Sequence, residues 1–433
     1  MKGNLARKLF LEHPERKKQL WGGHLWNPSY CAVTVSDRSY EQVKHYIDSQ
    51  KERQQIADGG KRMNKAYKYR IYPTAEQEQL MTDTFGCCRF VYNYYLALQS
   101  ENHQQGKAYM SKTACNNDCN RSLKQEQPWL RQVDKFALTN AIYALDAAYR
   151  RFFRKQGGYP RFKSRRYSRM SYTTNYTNGN IAVLDGEIKL PKLGKVKAVV
   201  HRRAPEDWQL KQATLSREGD GSCYVSVLYE YQAVIIAHAV HPGQVIGLDY
   251  KSDGLYMDSE GMCCGMPHYF RRNQEKLAKA QRKLKHKQHR SSNYWKQQKK
   301  IAHVAKKAAN QRKDYLHKKS TEIANRYDLV CVEDLDMRAL SNRKFKNGKA
   351  TLDNGYGAFL TMLKYKLEER GKGLIRIDKW YASTKTCSRC GRVKMMPLSE
   401  RRYECICGLS MDRDLNAALN IRNRGYEIYL KAV

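Results

Sequence analysis

The sequence predicts a multidomain α+β protein, and three observations carry that prediction. A long helical stretch is followed by an all-β stretch. Further on, separate apolar strands end on carboxylates, and a four-cysteine cluster lies close to the last acidic segment. With 433 residues there is room for several domains and at least one sizeable core. An apolar content of 41% marks a globular chain. Lys and Arg number 80 against 42 Asp and Glu, a net charge of +38. That excess is beyond what solubility needs and points to a polyanionic partner. No run of about 18 apolar residues or lipidation motif suggests a membrane, so nucleic acid is the expected partner. The first residues lack the apolar core of a signal peptide, which leads us to expect a cytoplasmic protein. In that setting the thirteen cysteines read as core thiols or metal ligands rather than disulfides.

Residues 1–62 read as a separate unit, extended over 21–36 and helical over 39–56, closed by ADGGKR. At Met63 a fresh start appears: a short strand, then Thr74 as the N-cap of a helix with Glu76 and Gln77 in its first turn. The pattern stays helical to about residue 155. Leu138, Ile142, Leu145, Tyr149 and Phe152 recur at spacings of four and three, the stripe of an amphipathic helix. The aromatic-rich CCRFVYNYYLAL before it reads as bundle core rather than a base-stacking face. In GGYPRFKSRRYSRM, Arg161, Lys163, Arg165, Arg166 and Arg169 interleave with aromatics including Tyr167. Cations suit phosphates and ring faces suit bases, so this segment is a candidate nucleic-acid contact.

Residues 176–240 alternate as strands, with an Asp185-Gly186 turn, and suggest a small barrel. Strands follow at VIGLD and at LVCVE, and between them residues 271–320 carry 18 Lys or Arg against only Glu275 and Asp314. A helical segment so charged repels itself without counterions, so Arg282, Lys283, Lys285 and Arg290 are candidate phosphate contacts. Asp249 ends VIGLD, Glu333 ends LVCVE, and Asp414 opens the helix DLNAALNI. Singly, these are a turn residue, a strand end and a helix cap. Together they fit an RNase H-like core, in which carboxylates from two strand ends and one helix start hold two Mg²⁺. Asp412 competes with Asp414 for the third position. Cys387-x-x-Cys390, fourteen residues, then Cys405-x-Cys407 has the spacing of a closed structural zinc ribbon. The second pair is one residue shorter than usual, which makes Cys405 the ligand most in need of a test.

The stretches KAYKYRIYPTAEQ, GYPRFK, LPKLGKV, GLDYKSDGLY, VEDL, TKTCSRCG and DRDLNAALNI, in that order, resemble the TnpB proteins of bacterial insertion sequences, relatives of the type V CRISPR nucleases. The resemblance spans nearly all of 63–425 and implies an RNA-guided DNA endonuclease. It implies a wedge β-barrel (63–75 and 166–243) interrupted by a helical recognition domain (76–165), then a RuvC nuclease domain (244–382). A zinc ribbon (383–408) is inserted before the last RuvC segment (409–433). On that resemblance Asp249, Glu333 and Asp414 are catalytic, binding two Mg²⁺, and the four clustered cysteines bind one Zn²⁺. The partners would be a guide RNA from the transposon end and double-stranded DNA beside a short adjacent motif, with the protein a monomer on its RNA. A nuclease-inactive guided repressor and a carboxylate-triad transposase are the competing readings.

Residues 1–62 resemble instead the C-terminal part of TnpA, the single-strand tyrosine transposase. Tyr46 falls at that family's attacking tyrosine, but the paired histidines have no counterpart and His24 alone cannot replace them. No catalysis by Tyr46 is therefore expected. Translation from Met63 is a further expectation, tested by N-terminal mass mapping of the native protein.

Overall fold

The computed structural model describes residues 61–236, 239–341, 348–397 and 399–432; the segment holding His24 and Tyr46 lies outside them. Strand β1 (Lys61–Tyr72) leads into a helical segment whose main helices are α1 (Ala75–Gln104), α2 (Lys112–Asp118) and α3 (Lys135–Phe153), with short helical turns over 119–131 between the last two. Thr74 caps α1 in a reciprocal capping box with Gln77, satisfying two otherwise orphaned N–H groups. Asp134 caps α3 through the Phe136 amide. The aromatic-rich stretch of α1 is core: Cys87, Cys88, Val91, Tyr92, Tyr95 and Leu96 are buried. They share one cluster with Leu138, Ile142, Leu145 and Tyr149 of α3.

After the helices come β2 (Met170–Asn175), β3 (Ala182–Val183), β4 (Glu187–Leu190), β5 (Gly194–Val199), β6 (Gln209–Arg217) and β7 (Cys223–Ala233). They join β1 in a seven-stranded antiparallel sheet of order β2-β6-β7-β1-β5-β4-β3. The first strand in sequence thus sits inside a sheet whose other strands all follow the helices. The helical segment is an insertion.

The second sheet contains β8 (Val245–Tyr250), β9 (Tyr256–Asp258), β10 (Cys263–Cys264), β11 (Leu329–Glu333) and β12 (Gly373–Ile377). Its order is β10-β9-β8-β11-β12, with the first three strands antiparallel and β8, β11 and β12 parallel. An antiparallel meander continued by parallel crossovers is the arrangement expected of an RNase H-like core. Between β10 and β11 the basic segment forms a hairpin of α4 (Tyr269–Lys285) and α5 (Ser292–Arg326). Helices α6 (Met337–Leu340), α7 (Gly348–Asn354) and α8 (Tyr356–Glu368) then lead to β12. A short hairpin, β13 (Arg402–Glu404) and β14 (Ser410–Asp412), leads into α9 (Arg413–Leu430).

Strand periodicity decides what each face of the second sheet meets. Ile246, Leu248, Val330 and Val332 pack on Leu316 and Ile323 of α5 and Phe359 and Leu363 of α8. The alternate residues, Val245, Leu329 and Cys331, pack with Ile421 of α9 on the other face. One polar joint interrupts the α5–α8 packing. Lys366, only 7% exposed, donates from Nζ to His317 O, Ser320 Oγ and Thr321 Oγ1 at 2.6–2.7 Å. Burial, helped by Arg370, lowers its pKa to about 8. In the window from about 8 up to the ordinary lysine range the unfolded chain binds the extra proton, so this group's contribution to stability grows as pH rises. The stability of the protein relative to Lys366→Met should therefore increase between pH 8 and pH 10 in paired denaturant titrations. Among the described residues no helix is long and apolar enough to cross a membrane.

Candidate metal centre and nucleic-acid faces

β8 and β11 run side by side in parallel, with Leu248 opposite Val332. Asp249 and Glu333 are the next residues on the two strands. By the same alternation that turns Val245, Leu329 and Cys331 toward α9, both carboxylates lie on the α9 side. The helix itself lies close on these strands. A Cβ on Gly247 would collide with Ala418 O and stand 2.6 Å from the Arg422 nitrogen, and one on Gly425 would collide with Cys331 Sγ. Because contacts near 247 involve residues 418–422, the start of α9 reaches the carboxyl ends of the strands. Asp414, second residue of α9, completes the group.

The electrostatics agree with that placement. Burial pushes the Asp249 carboxyl well above its usual range, and the charges of Glu333 and Asp414 push it further. Burial also raises Glu333, against a hydrogen bond donated by Ser383 Oγ at 3.0 Å. Two cations face the cluster: Lys251 Nζ and Arg413 Nη2 lie 3.6 and 3.4 Å from the Asp414 carboxylate. Burial and two acidic neighbours disfavour the Asp249 charge, and hard oxygen donors of this kind suit a divalent cation. Asp412 Oδ1 accepts from the amides of Asp414 and Leu415 at 2.8 and 3.1 Å, capping α9.

The sulfurs of Cys387, Cys390, Cys405 and Cys407 all lie within 4.8 Å of one another. The Cys387–Cys407 and Cys390–Cys405 separations are 3.6 Å. Tetrahedral zinc with Zn–S of ~2.3 Å wants sulfurs about 3.8 Å apart. Cys405 is thus placed with the others, despite its short spacing. Gly391 (φ 74°) and Gly408 (φ 84°) turn the two knuckles in a region other residues rarely adopt. Burial disfavours the Cys387 thiolate, but the amides of Cys390 and Arg389 outweigh it and lower the pKa to about 7.

Sequence reasoning missed the residues that join the two centres. Asn416 Nδ2 donates to Thr386 O at 2.7 Å, and its Oδ1 accepts from the Ser388 amide. Asn420 Nδ2 donates to the carbonyls of Ser383 and Thr386 at 2.8 and 2.6 Å. These buried amides tie α9 to the approach of the cysteine cluster and to Ser383, which orients Glu333. The available signal was two asparagines four apart on a helix face otherwise made of Ala417, Ala418 and Ile421.

The basic candidates divide into two groups. Arg161, Arg165, Arg166, Tyr167 and Arg169 are exposed on one loop before β2. Arg282, Lys283, Lys285 and Arg290 are exposed at the turn of the α4–α5 hairpin. Lys163 differs: its Nζ lies 3.8 Å over the Tyr92 ring, half-buried against α1.

Comparison with known proteins matches four family models: "Helix-turn-helix domain" over 63–108, "Probable transposase" over 226–344, "Cas12f1-like, TNB domain" over 356–421 and "Transposase IS200 like" over 1–50. A Streptomyces pristinaespiralis protein named "Putative RNA-guided DNA endonuclease" is 34% identical over 371 residues, covering 84% of this chain and 90% of its own. The similarly named InsQ of Escherichia coli K12 is 32% identical over 385 residues, with coverage of 84% and 92%. Residues near the N-terminus match the ISDra2 transposase TnpA of Deinococcus radiodurans, 48% identical over 54 residues, 12% of this chain and 39% of that one. In fold, the chain is similar to a protein in a cryo-EM structure of a Cas12f1–sgRNA–target DNA complex, with a TM-score of 0.56 and 14% identity over 84% of this chain and 99% of that one. With that identity sustained across nine-tenths of its relatives' length, the chain belongs to the TnpB family, preceded by a segment similar to part of TnpA.

Proposed function

We propose that the chain is an RNA-guided DNA endonuclease of an insertion sequence, cutting DNA beside a short transposon-associated motif. The observation that carries the reading is the convergence of Asp249, Glu333 and Asp414 in a chain with a net charge of +38. These carboxylates would hold two Mg²⁺, which supply an activated water and stabilise the leaving oxygen of an in-line displacement. Lys251 and Arg413 hold the Asp414 carboxylate, and Ser383 orients that of Glu333. The exposed cations of 161–169 and 282–290 take the phosphates of guide and target. The seven-stranded sheet acts as the barrel-like wedge, the inserted helices as the recognition domain, and the chain works as a monomer on its RNA.

The test offers the protein, purified with co-expressed RNA, a guide-matched duplex and Mg²⁺. Cleavage abolished by EDTA supports the nuclease. Binding without cleavage would mark a guided repressor, and joined strands a transposase.

The four cysteines would hold one structural zinc, closing the ribbon with no position open for catalysis. Cys405→Ser should lower bound zinc from about one per chain to near zero and lower the melting temperature, since binding free energy at such sites is folding free energy. Full zinc retention, read by elemental analysis, would remove Cys405 from the ligand set.

A further inference from the structure

The loop that follows Asp249 is gripped by side chains far from the carboxylates in sequence. Asn354, the last residue of α7, is fully buried, and its Nδ2 donates to the carbonyls of Lys251 (3.3 Å) and Ser252 (2.8 Å). His268 donates from Nε2 to the next carbonyl, Asp253 O, at 3.2 Å. Asp353, 3% exposed, accepts from the Phe270 amide at 3.2 Å, in the first turn of α4. Its other carboxylate oxygen is 3.9 Å from His268 Nδ1. Lys251, whose carbonyl is held, places its own Nζ 3.6 Å from Asp414.

Buried polar groups disfavour folding unless fully hydrogen-bonded. Here Asp353 Oδ2, His268 Nδ1 and Asn354 Oδ1 are buried with no hydrogen-bond partner among the described residues. His268 also adopts a left-handed backbone, φ 49°, uncommon outside glycine. An apolar joint would hold α7 and α4 together without these costs, but it would take the side-chain donors from the Ser252 and Asp253 carbonyls and leave the Lys251 carbonyl with the Gly254 amide alone. We propose that Asn354, His268 and Asp353 form a clamp that positions loop 251–253 behind Asp249 and ties it to the first turn of the basic hairpin. They are positioning residues, touching neither substrate nor reacting atoms. The inference rests on the reading of Asp249 as catalytic.

Asn354→Ala and His268→Ala test it in the full RNA-bound protein. Amide exchange at 251–254 should rise at least tenfold while β8 and β11 amides keep their protection. Matched-target binding should be unchanged and the single-turnover cleavage rate at saturating target should fall at least tenfold. His268→Gln, which keeps a donor for the Asp253 carbonyl, should recover the rate. If Asn354→Ala does not fold, His268→Ala carries the test, because that side chain is a quarter exposed. Unchanged exchange at 251–254 would overturn the clamp, as would exchange raised throughout the nuclease core with normal cleavage per folded molecule. If Asp249→Ala still cleaves, the catalytic reading fails on its own, while the exchange data still report on the clamp.

Discussion

Asp249→Ala should lower guide-directed cleavage by at least about 10³-fold, the scale of several kcal/mol of lost transition-state stabilisation. Glu333→Ala and Asp414→Ala should do the same, because the three carboxylates act as one unit and their losses are not additive. RNA retention and target binding, read by filter binding, should survive all three substitutions, since the proposed phosphate contacts lie on other segments, 161–169 and 282–290. Asp412→Ala is the informative contrast. It removes the N-cap of α9, a loss of ~1 kcal/mol in stability, and should leave most of the cleavage rate. A 10³-fold loss from Asp412→Ala with wild-type folding would exchange the roles of the two acids.

The largest expected effect on stability is at Gly247. A methyl there meets main-chain atoms of α9, Ala418 O and the Arg422 nitrogen, not the end of a flexible side chain. Backbone cannot rotate away, so Gly247→Ala must push α9 off β8. The cost should lie at about 3 kcal/mol or beyond, the upper end for overpacked cores. The displaced helix would carry Asp414 with it, so cleavage should fall along with the melting temperature. Gly265→Ala, whose Cβ would meet nothing within 4 Å, is the control and should do neither. An unchanged melting temperature for Gly247→Ala would contradict the close crossing of helix and strand.

The order of elements was legible because each left a local signature. Alternating residues marked the strands, the 3.6-residue stripe marked α3, and Thr74 marked the start of α1. The three candidate carboxylates stood out because Asp249 and Glu333 fall at or next to the ends of short apolar strands and Asp414 in the first turn of a helix. What stayed hidden was non-local. Nothing near Asn354 in sequence reveals that it holds carbonyls a hundred residues away. Likewise Ser383 gains its role only when α9 brings Asn420 to its carbonyl and the sheet brings Glu333 to its hydroxyl. Lys163 was grouped with its basic neighbours because composition cannot separate a side chain lying over Tyr92 from one facing water. Asp412 and Asp414 were rivals for the same reason: either acid can cap a helix, and only the hydrogen bonds to the amides of Asp414 and Leu415 assign the cap.

The central claim is that base pairing with a bound RNA chooses where this carboxylate centre cuts. It is tested most directly by rewriting the guide segment of the co-expressed RNA and mapping the ends of cleaved DNA in Mg²⁺. The account predicts that the cut moves to the newly matched site and that the formerly matched duplex is left intact. Cleavage that stays at one site whatever the guide, or none at any matched site, would contradict it.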